Sequence, residues 1–583
     1  MTASLDRRRP GERGQRHAQH GDDRPDRRHA AQEGERAGRH RVADAAHELG
    51  IDAGLHGQRG TAQEAREQQE RLHPRCLRPI ALGRSWPGPA APPTRSGHTS
   101  TSPVDALCPA SHRAAGESMA GTHAQHPEPG WAGTLASAPV ALPRPRPLPV
   151  PRPQWRTLLQ LRRNALASWG APAYEEPVLA GPFLGRQSLL LNEPGAIRRV
   201  LVDNAGAYGR TPATLRILHP MIGDGLFLAE GEAWRFQRRT AAPAFAPRSL
   251  GLVAAIAARR TAATLDRLAD EGRRIVDLLA LFQGLALEIA GEALFSQSLE
   301  PHARALRAHL DQYGTRFARP SPLDLALPRG WPSPAEFRRR RFGRSWFALL
   351  AEILAERRAR GIETPPRDLF DALAGARDPE TGRGFSEQEL LDQFATFLIA
   401  GHETTALALF WSCYLLALAP EVQEAAAAEA QAGGPTADAA ALPVGRAVVQ
   451  EALRLYPPAF TIVREAREPD EVAGHRLAPG DLVVVAPWVL HRHRRLWAEP
   501  DRFDPSRFLP GAPPVDRFAY LPFGIGPRVC IGAQFALVEA AVVLAGLLAR
   551  HRLELVGPRR VLPVAVVTTH PDRRPAFRLE PHP

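Results

Sequence analysis

The feature that most constrains the fold is a long apolar segment that runs from Ser386 to Ala419. Ser386 and Glu389 have the spacing of a capping box at a helix start, and Pro420 ends the segment. A helix of this length spans roughly 50 Å, enough to cross a whole domain. Because apolar side chains lie nearly all round it, we expect this helix to be central in a mainly α domain with minor β structure.

The middle of the same segment reads AGHETT, from Ala400 to Thr405, and is unusually polar for a buried helix. The Ala-Gly pair leaves space beside the helix, and a buried carboxylate such as Glu403 is costly without a partner. One interpretation is a helix-packing notch whose polar groups are satisfied, and the other is a reactive site. His402 is more typical of a structural residue than of a metal ligand.

The first part of the chain differs sharply in composition from the rest. No Tyr occurs before Tyr174 and no Phe before Phe183, and Arg, His, Gln, Gly, Ala and Pro dominate residues 1–140. With so few large apolar side chains, this part cannot bury enough surface to offset its chain entropy. We therefore predict that residues 1–140 are a low-complexity extension, either disordered or wrongly annotated with the true start near Met119. Residues 141–583 are then expected to form one large domain.

Charge and cysteine content exclude several classes of protein. The net charge is +12, but the Arg residues are interleaved with Asp and Glu, and no basic stripe with aromatic residues favours nucleic-acid binding. The few cysteines form neither a disulfide framework nor a zinc motif. The sequence shows no signal peptide and no charge-free apolar stretch of about 18 residues, which predicts a cytoplasmic protein without a membrane span.

One cysteine stands in a distinctive loop, FGIGPRVCIG, from Phe523 to Gly532, followed by the apolar helix QFALVEAAVVLAGLLARH. A sulfur anion near a helix start meets the positive end of the helix dipole and free N–H groups, which predicts a lowered thiol pKa for Cys530. Arg528 stands two residues before it and could reach a carboxylate of a bound cofactor. A buried structural cysteine is the alternative. Three glycines, an Arg and a Phe at fixed offsets stand against that alternative.

The loop resembles the haem-binding loop of cytochromes P450, FGxGxRxCxG, at every fixed position, and AGHETT is similar to the oxygen-activation motif of the same family. The resemblance implies that Cys530 is the axial ligand of haem b (iron protoporphyrin IX). It also implies that Phe523 packs beside the sulfur and that Arg528 pairs with a propionate. By the same resemblance, Glu403 and Thr404 relay protons to dioxygen. Electron donation from a thiolate favours O–O cleavage.

Two further segments match the family in the expected order. GEAWRFQRR carries Trp234 and Arg238 one helical turn apart, so both lie on one helix face. The resemblance implies that both bind a haem propionate. Arg464 falls where the family commonly places another propionate partner, and His491 is a weaker candidate for the same task.

A buried charge network is implied by two more segments. EALRLYPP holds Glu451 and Arg454 on one helix face, and PSRF supplies Arg507. Taken alone, the ExxR spacing usually marks a surface ion pair. In the family it forms a structural Glu–Arg–Arg network near the cysteine loop, and we expect the same role here.

The resemblance extends from about Trp155 to the C-terminus and implies the cytochrome P450 fold, with haem between the central helix and the cysteine-loop helix. It implies a monooxygenase that inserts one atom of dioxygen into a small lipophilic substrate. Pocket candidates are residues 210–227, the groove side of the central helix, and Pro458–Val463.

Electrons are expected ultimately from NAD(P)H, through a separate ferredoxin or flavodoxin and its reductase, because the sequence shows no fused flavin or iron–sulfur module. Two alternatives remain open: a haem-thiolate isomerase or dehydratase that acts on peroxides, and a non-catalytic haem-thiolate binding or sensing protein. The pair Glu403 and Thr404 disfavours both, because neither needs a proton relay.

Overall fold

A computed structural model describes residues 142–145, 153–328, 330–433 and 438–582. The predicted extension over residues 1–140 and the translation start near Met119 lie outside the described residues.

The described part of the chain is mainly helical, as predicted, and its α-helices vary from one turn to a length that crosses the domain. In chain order they are α1 Gln154–Arg163, α2 Pro194–Arg198, α3 Pro212–Ile222, α4 Gly231–Ala241, α5 Leu250–Asp270, α6 Leu278–Phe295, α7 Glu300–Gln312, α8 Pro322–Ala326, α9 Pro334–Arg358, α10 Leu369–Ala374, α11 Glu387–Leu418, α12 Pro420–Ala432, α13 Pro443–Leu455, α14 Pro487–Leu490 and α15 Ala533–Arg550.

The strands are short, from two to six residues. They are β1 Val178–Phe183, β2 Arg186–Leu191, β3 Tyr208–Gly209, β4 Ile275–Val276, β5 Ile462–Ala466, β6 Asp470–Val472, β7 His475–Leu477, β8 Leu482–Val485, β9 His551–Val556, β10 Pro563–Ala565, β11 Thr569–Pro571 and β12 Ala576–Pro581.

The largest sheet has the order β1-β2-β8-β5-β3. Strand β2 pairs with β8 in parallel, with Leu189 opposite Val483, and β5 pairs with β8 antiparallel, with Val463 opposite Val484. Strands β4, β12 and β9 form a second sheet, and β6–β7 and β10–β11 are two-stranded ribbons. The sheets thereby bring β5 and the β10–β11 ribbon to the helical core from distant parts of the chain.

Helix α11 is the central helix that the sequence predicts. Ser386 and Glu389 make both hydrogen bonds of the capping box at its start. The helix packs chiefly against α6 and also against α13 and α15. Near its C-terminal end Trp411 is completely buried and stacks on Tyr456, with ring centroids 4.0 Å apart. This packing fixes the position of the AGHETT turns relative to the rest of the domain.

Two other helices, α6 and α15, are long and apolar enough to cross a membrane by length and composition alone. Two bent helix pairs, α4 with α5 and α11 with α12, also pass the same test when each is taken as one span. The sequence criterion of a stretch free of charge excludes both helices, because each contains glutamate, such as Glu539 in α15. Within α6 and α15, 61% and 56% of the residues are buried inside the domain.

Candidate active site

A cavity of about 1110 Å³ is bounded by α11 on one side and by the cysteine loop on another. Ala400, Gly401, Thr404 and Thr405 of α11 line it, and so does Cys530. The volume slightly exceeds the range of about 300–1,000 Å³ that is usual for small-molecule sites. There is therefore room for a flat cofactor and an organic substrate together.

The cysteine loop folds back on itself and turns Cys530 towards the cavity. The Cys530 N–H donates to the carbonyl of Phe523 at 2.9 Å, and a 3₁₀ turn over Gly526–Arg528 separates the two. Gly526 has φ +74°, and a Cβ added there would stand 2.1 Å from the carbonyl oxygen of Leu201. A glycine is thus required at this position both by backbone conformation and by space.

The pKa of the Cys530 thiol lies above its usual value in this chain, because burial opposes the charged form. The Gly532 N–H and the guanidinium of Arg238 act in the opposite direction but do not outweigh burial. The side chain of Cys530 is exposed to the cavity, and a bound metal ion would favour the thiolate, so the lowered pKa stays a prediction for the cofactor-bound protein.

Four of the predicted propionate partners lie together on the wall of this cavity, namely Trp234, Arg238, Arg464 and Arg528. They come from three separate segments: α4, β5 and the cysteine loop. The Arg528 guanidinium lies 4.3 Å from the centroid of the Trp234 ring and donates to the carbonyl of Ala229 at 2.7 Å. Among the described residues, no carboxylate forms an ion pair within 4.0 Å of Arg238, Arg464 or Arg528.

Burial lowers the pKa of Arg464 and that of Arg528 to about 10, and the charge of Arg464 adds to the effect on Arg528. The pKa of Arg238 is also lowered by burial, although the sulfur of Cys530 opposes this. The charge of Glu230, which also lines the cavity, opposes the lowering for Arg464 and Arg528 but does not outweigh burial. The wall therefore carries an excess of positive charge, which favours the binding of an anion.

Sequence reasoning assigned no role to two residues of the cavity wall, although Arg210 begins the predicted pocket segment 210–227. Arg210 lies 4.2 Å from the Phe227 ring centroid, and burial together with the charges of Arg464 and Arg528 holds its pKa well below the usual range. Glu539 on α15 is buried, which raises its pKa to about 8. Its Oε1 atom has no hydrogen-bond partner in the described part of the chain. Neither residue stands in a motif, so no spacing signal could have identified it.

The residues present fit haem b. A thiol, an indole N–H donor and several partly buried guanidinium groups meet in one cavity beside glycines that permit close approach. The two carboxylates of haem b would neutralise guanidinium groups, and its iron ion would favour the thiolate form of the cysteine. Phe523 also lines this cavity.

The acid and the alcohol of the AGHETT motif face different directions. Thr404 lines the cavity, and its hydroxyl donates to the carbonyl of Ala400 at 2.5 Å. Glu403 is not among the lining residues, and its Oε1 lies 2.8 Å from Nε2 of His570 in β11. His402 is buried, and desolvation lowers its pKa. The neutral, buried His402 agrees with the structural role predicted for it.

His491 does not reach the cavity, so the prediction that it binds a propionate is wrong. It is completely buried, and both of its ring nitrogens are occupied by the backbone. Nδ1 lies 3.0 Å from the carbonyl oxygen of Arg454, and Nε2 accepts the N–H of Leu521 at 2.8 Å. Burial lowers the pKa of His491 to about 3, so the ring is neutral. It has no free donor for a cofactor.

The Glu–Arg–Arg network is present. Arg454 donates Nε and Nη2 to the Glu451 carboxylate at 2.6 and 2.7 Å, and both side chains are completely buried. Nε of Arg507 stands 3.7 Å from Glu451. Arg454 also donates to three backbone carbonyls, those of His491, Pro500 and Arg502. The pair therefore holds the segment that leads to the cysteine loop.

Comparison with known proteins gives one consistent result. The sequence profile described as "Cytochrome P450" matches residues 145–572. Cyclooctatin synthase of Streptomyces melanosporofaciens is 35% identical over 379 residues, covering 64% of this chain and 81% of that protein. Cyclooctat-9-en-7-ol 5-monooxygenase of the same organism is 32% identical over 443 residues, covering 73% and 91%. The crystal structure of the cytochrome P450DA heme domain matches with a TM-score of 0.64 and 25% identity, covering 76% of this chain and 99% of that one.

The fold and the cavity thus define a helical haem-thiolate protein. The chain belongs to the cytochrome P450 family, and it is a haem-dependent monooxygenase.

Proposed function

We propose that this monooxygenase oxygenates a lipophilic, largely hydrocarbon substrate of the terpenoid class. The observation that carries the proposal is the apolar character of the cavity wall beyond Thr404, where Ile217, Leu294, Phe397 and Val567 contribute side chains. Two relatives support it, because the names cyclooctat-9-en-7-ol 5-monooxygenase and pentalenene oxygenase describe the oxygenation of an alkenol and an alkene. Pentalenene oxygenase of Streptomyces avermitilis is 32% identical over 364 residues, covering 61% of this chain and 80% of that protein.

The residues that would hold haem fall into two groups, one for the iron ion and one for the propionate carboxylates. Cys530 would bind the iron, and Arg238, Arg464, Arg528 and Trp234 would bind the propionates as charge-assisted hydrogen-bond donors. When bound, the haem supplies the activation of dioxygen, which thiolate ligation favours. The apolar wall around the sulfur keeps bulk water from the reacting centre.

Proton delivery is the task we assign to Glu403 and Thr404. The Thr404 hydroxyl lies on the cavity wall, and Glu403 is its neighbour along the chain on the side of the β10–β11 ribbon. In the proposed relay Glu403 takes up a proton from water and passes it through the Thr404 hydroxyl into the cavity. Phe523 would shield the sulfur from the opposite side.

Electrons would come from NAD(P)H through a ferredoxin or flavodoxin and its reductase. We propose that this partner docks beside the cysteine loop, where Pro527 and Val529 are exposed. Arg528 itself is turned inward onto Trp234, so other basic residues would make the contacts. If charge guides docking, raising the salt concentration slows electron transfer. Equal rates at low and high salt would contradict a charge-guided complex.

We also propose that the protein acts in the cytoplasm. The apolar helices α6 and α15 are more than half buried inside the domain, which supports this placement. Fractionation of cells that express the full chain would test it, and recovery in the membrane fraction would contradict it.

The substrate class is tested by spectral titration with terpenoid hydrocarbons, terpenoid alcohols and fatty acids of matched carbon number. We expect the terpenoids to shift the haem spectrum at the lowest concentrations and to gain one oxygen atom from labelled dioxygen when NAD(P)H and redox partners are present. Tighter binding and oxygenation of the fatty acids would contradict the proposed substrate class. Conversion of an organic peroxide without any electron donor would favour the isomerase or dehydratase alternative.

A further inference from the structure

The β10–β11 ribbon connects the substrate cavity with the acid of the AGHETT motif. In this ribbon Val564 pairs with His570, and the connecting residues Val566 and Val567 line the cavity. Three residues beyond Val567, Nε2 of His570 lies 2.8 Å from Oε1 of Glu403. One short segment therefore touches both the space for the substrate and the proton donor.

The position of His570 is fixed by its neighbour in the ribbon. Thr569 is completely buried, and its hydroxyl and N–H donate to the carbonyls of Pro457 and Pro458 at 2.7 and 3.2 Å. Its carbonyl accepts the indole N–H of Trp411, a residue of α11, at 2.9 Å. Because α11 also carries Glu403, the ribbon and the acid are held on one rigid element.

Several titratable groups face the carboxylate from the surrounding elements. His570 contacts it from β11, His402 acts on it from α11, and Tyr313 is close to it from the turn after α7. His402 itself is influenced by Arg307 and Asp311 of α7. Of these groups, His570 is the one whose ring nitrogen lies within hydrogen-bond distance of Glu403.

The electrostatic effects on Glu403 oppose each other. Burial would raise its pKa, but the hydrogen bond and charge of His570, with His402 and Thr568, lower the pKa below its usual value. The Glu403 side chain is 31% exposed and that of His570 35%, so water can reach both. The acid is therefore ionised at neutral pH and has access to a source of protons.

We infer that His570 is a positioning residue for Glu403, which holds the acid on the solvent side of α11 and supplies it with protons during turnover. This inference rests on the proposed role of Glu403 and Thr404. In the transfer, a proton moves from Nε2 of His570 to the Glu403 carboxylate while Nδ1 of the same ring takes up a proton from solvent, so the charge of the ring does not change. The neutral acid then gives its proton to the Thr404 oxygen as that hydroxyl releases its own proton into the cavity, and exchange with solvent restores the ring. No electrons move.

The first test follows proton delivery without any organic substrate, in the holoenzyme with a plant-type ferredoxin, its reductase and NADPH. His570→Phe removes the hydrogen bond to Glu403, His570→Gln keeps a hydrogen-bond donor without the imidazole ring, and His475→Gln is the control in another two-stranded ribbon. We expect His570→Phe to release about fivefold more peroxide per NADPH consumed. We expect His570→Gln, whose amide cannot take up a proton and pass it on, to release more peroxide than His475→Gln and to alter the pH profile of the rate. Peroxide release and pH profiles equal to those of His475→Gln would overturn the inference.

A second test does not depend on turnover. Thermal unfolding of the holoenzyme is compared for Glu403→Leu, His570→Phe and the double variant. We expect the Tm of the double variant to fall by less than the sum of the two single losses, because either change alone removes the contact. Additive losses would show that the two side chains do not interact and would overturn the inference. If both tests succeed while no terpenoid is oxygenated, the proposed substrate is wrong and the role of His570 stands.

Discussion

Arg454 and His491 bind each other's backbone: Nη1 of Arg454 donates to the carbonyl of His491 at 2.8 Å, and Nδ1 of His491 lies 3.0 Å from the carbonyl oxygen of Arg454. The other ring nitrogen of His491 accepts the N–H of Leu521, just before the cysteine loop. The buried pair thereby links helix α13 to the loop that carries Cys530. Geometry at the sulfur depends on this link, although neither residue lines the cavity.

We predict that His491→Ala lowers the free energy of unfolding by about 3 kcal/mol. The change leaves a buried N–H and a buried carbonyl without partners, each of which costs about 1–3 kcal/mol. Chemical denaturation of the purified protein measures the loss. His219→Ala, at a more exposed histidine of α3, is the control and should change stability much less. A loss for His491→Ala no larger than for this control would refute the structural role.

Because of the same histidine, we predict that the free energy of unfolding depends on pH. An unfolded histidine takes up a proton below about pH 6.5, whereas burial lowers the pKa of folded His491 to about 3. Between these values the unfolded chain binds one more proton, so this contribution to stability is lost as the pH falls from about 6.5 towards 3. The slope is up to about 1.4 kcal/mol per pH unit. His491→Gln should unfold with a correspondingly shallower slope, and an unchanged slope would contradict the assignment.

Replacement of Glu451 by Gln should destabilise the fold strongly. It leaves the Arg454 guanidinium charged and completely buried without its carboxylate, which costs about 3–5 kcal/mol. We expect a lower yield of folded protein and a reduced midpoint in denaturant. Glu554→Gln, on an exposed ion pair with Arg578, is the matched control and should cost at most about 1 kcal/mol. Similar losses in both variants would argue against a buried network.

Replacement of Arg464 by Met should weaken haem retention without destabilising the chain when haem is removed. The change removes a guanidinium whose charge burial disfavours more than the carboxylate of Glu230 favours it. A charge-assisted hydrogen bond to a propionate is worth about 1.5–3 kcal/mol, so haem should dissociate about 10- to 100-fold faster. Transfer of haem to an excess of an apo-acceptor protein measures this rate. Unchanged dissociation would exclude Arg464 as a propionate partner.

Much of this site could be predicted from the sequence because its parts are local. The cysteine loop, the capping box of α11 and the pair Trp234 and Arg238 each fall within about ten residues, where spacing alone determines which side chains meet. The predicted central helix, Ser386–Ala419, agrees closely with the observed Glu387–Leu418.

The features of the site that the sequence did not reveal depend on contacts between distant parts of the chain. Glu403 and His570 are 167 residues apart, and only the packing of the β10–β11 ribbon on α11 brings them together. Arg210 reaches the cavity wall because strand β3, at Tyr208–Gly209, pairs with β5 just before it. His491 was misplaced for the same reason, since spacing along the chain does not reveal that both ring nitrogens meet backbone groups.

The most direct test of thiolate ligation is the visible spectrum of the reduced protein with carbon monoxide, recorded for the wild type and for Cys530→His. We expect the wild-type Soret band at the red-shifted position of thiolate-ligated haem, and we expect Cys530→His either to lose haem or to move the band to the imidazole position. A wild-type band at the imidazole position, unchanged in Cys530→His, would contradict the assignment of Cys530 as the iron ligand.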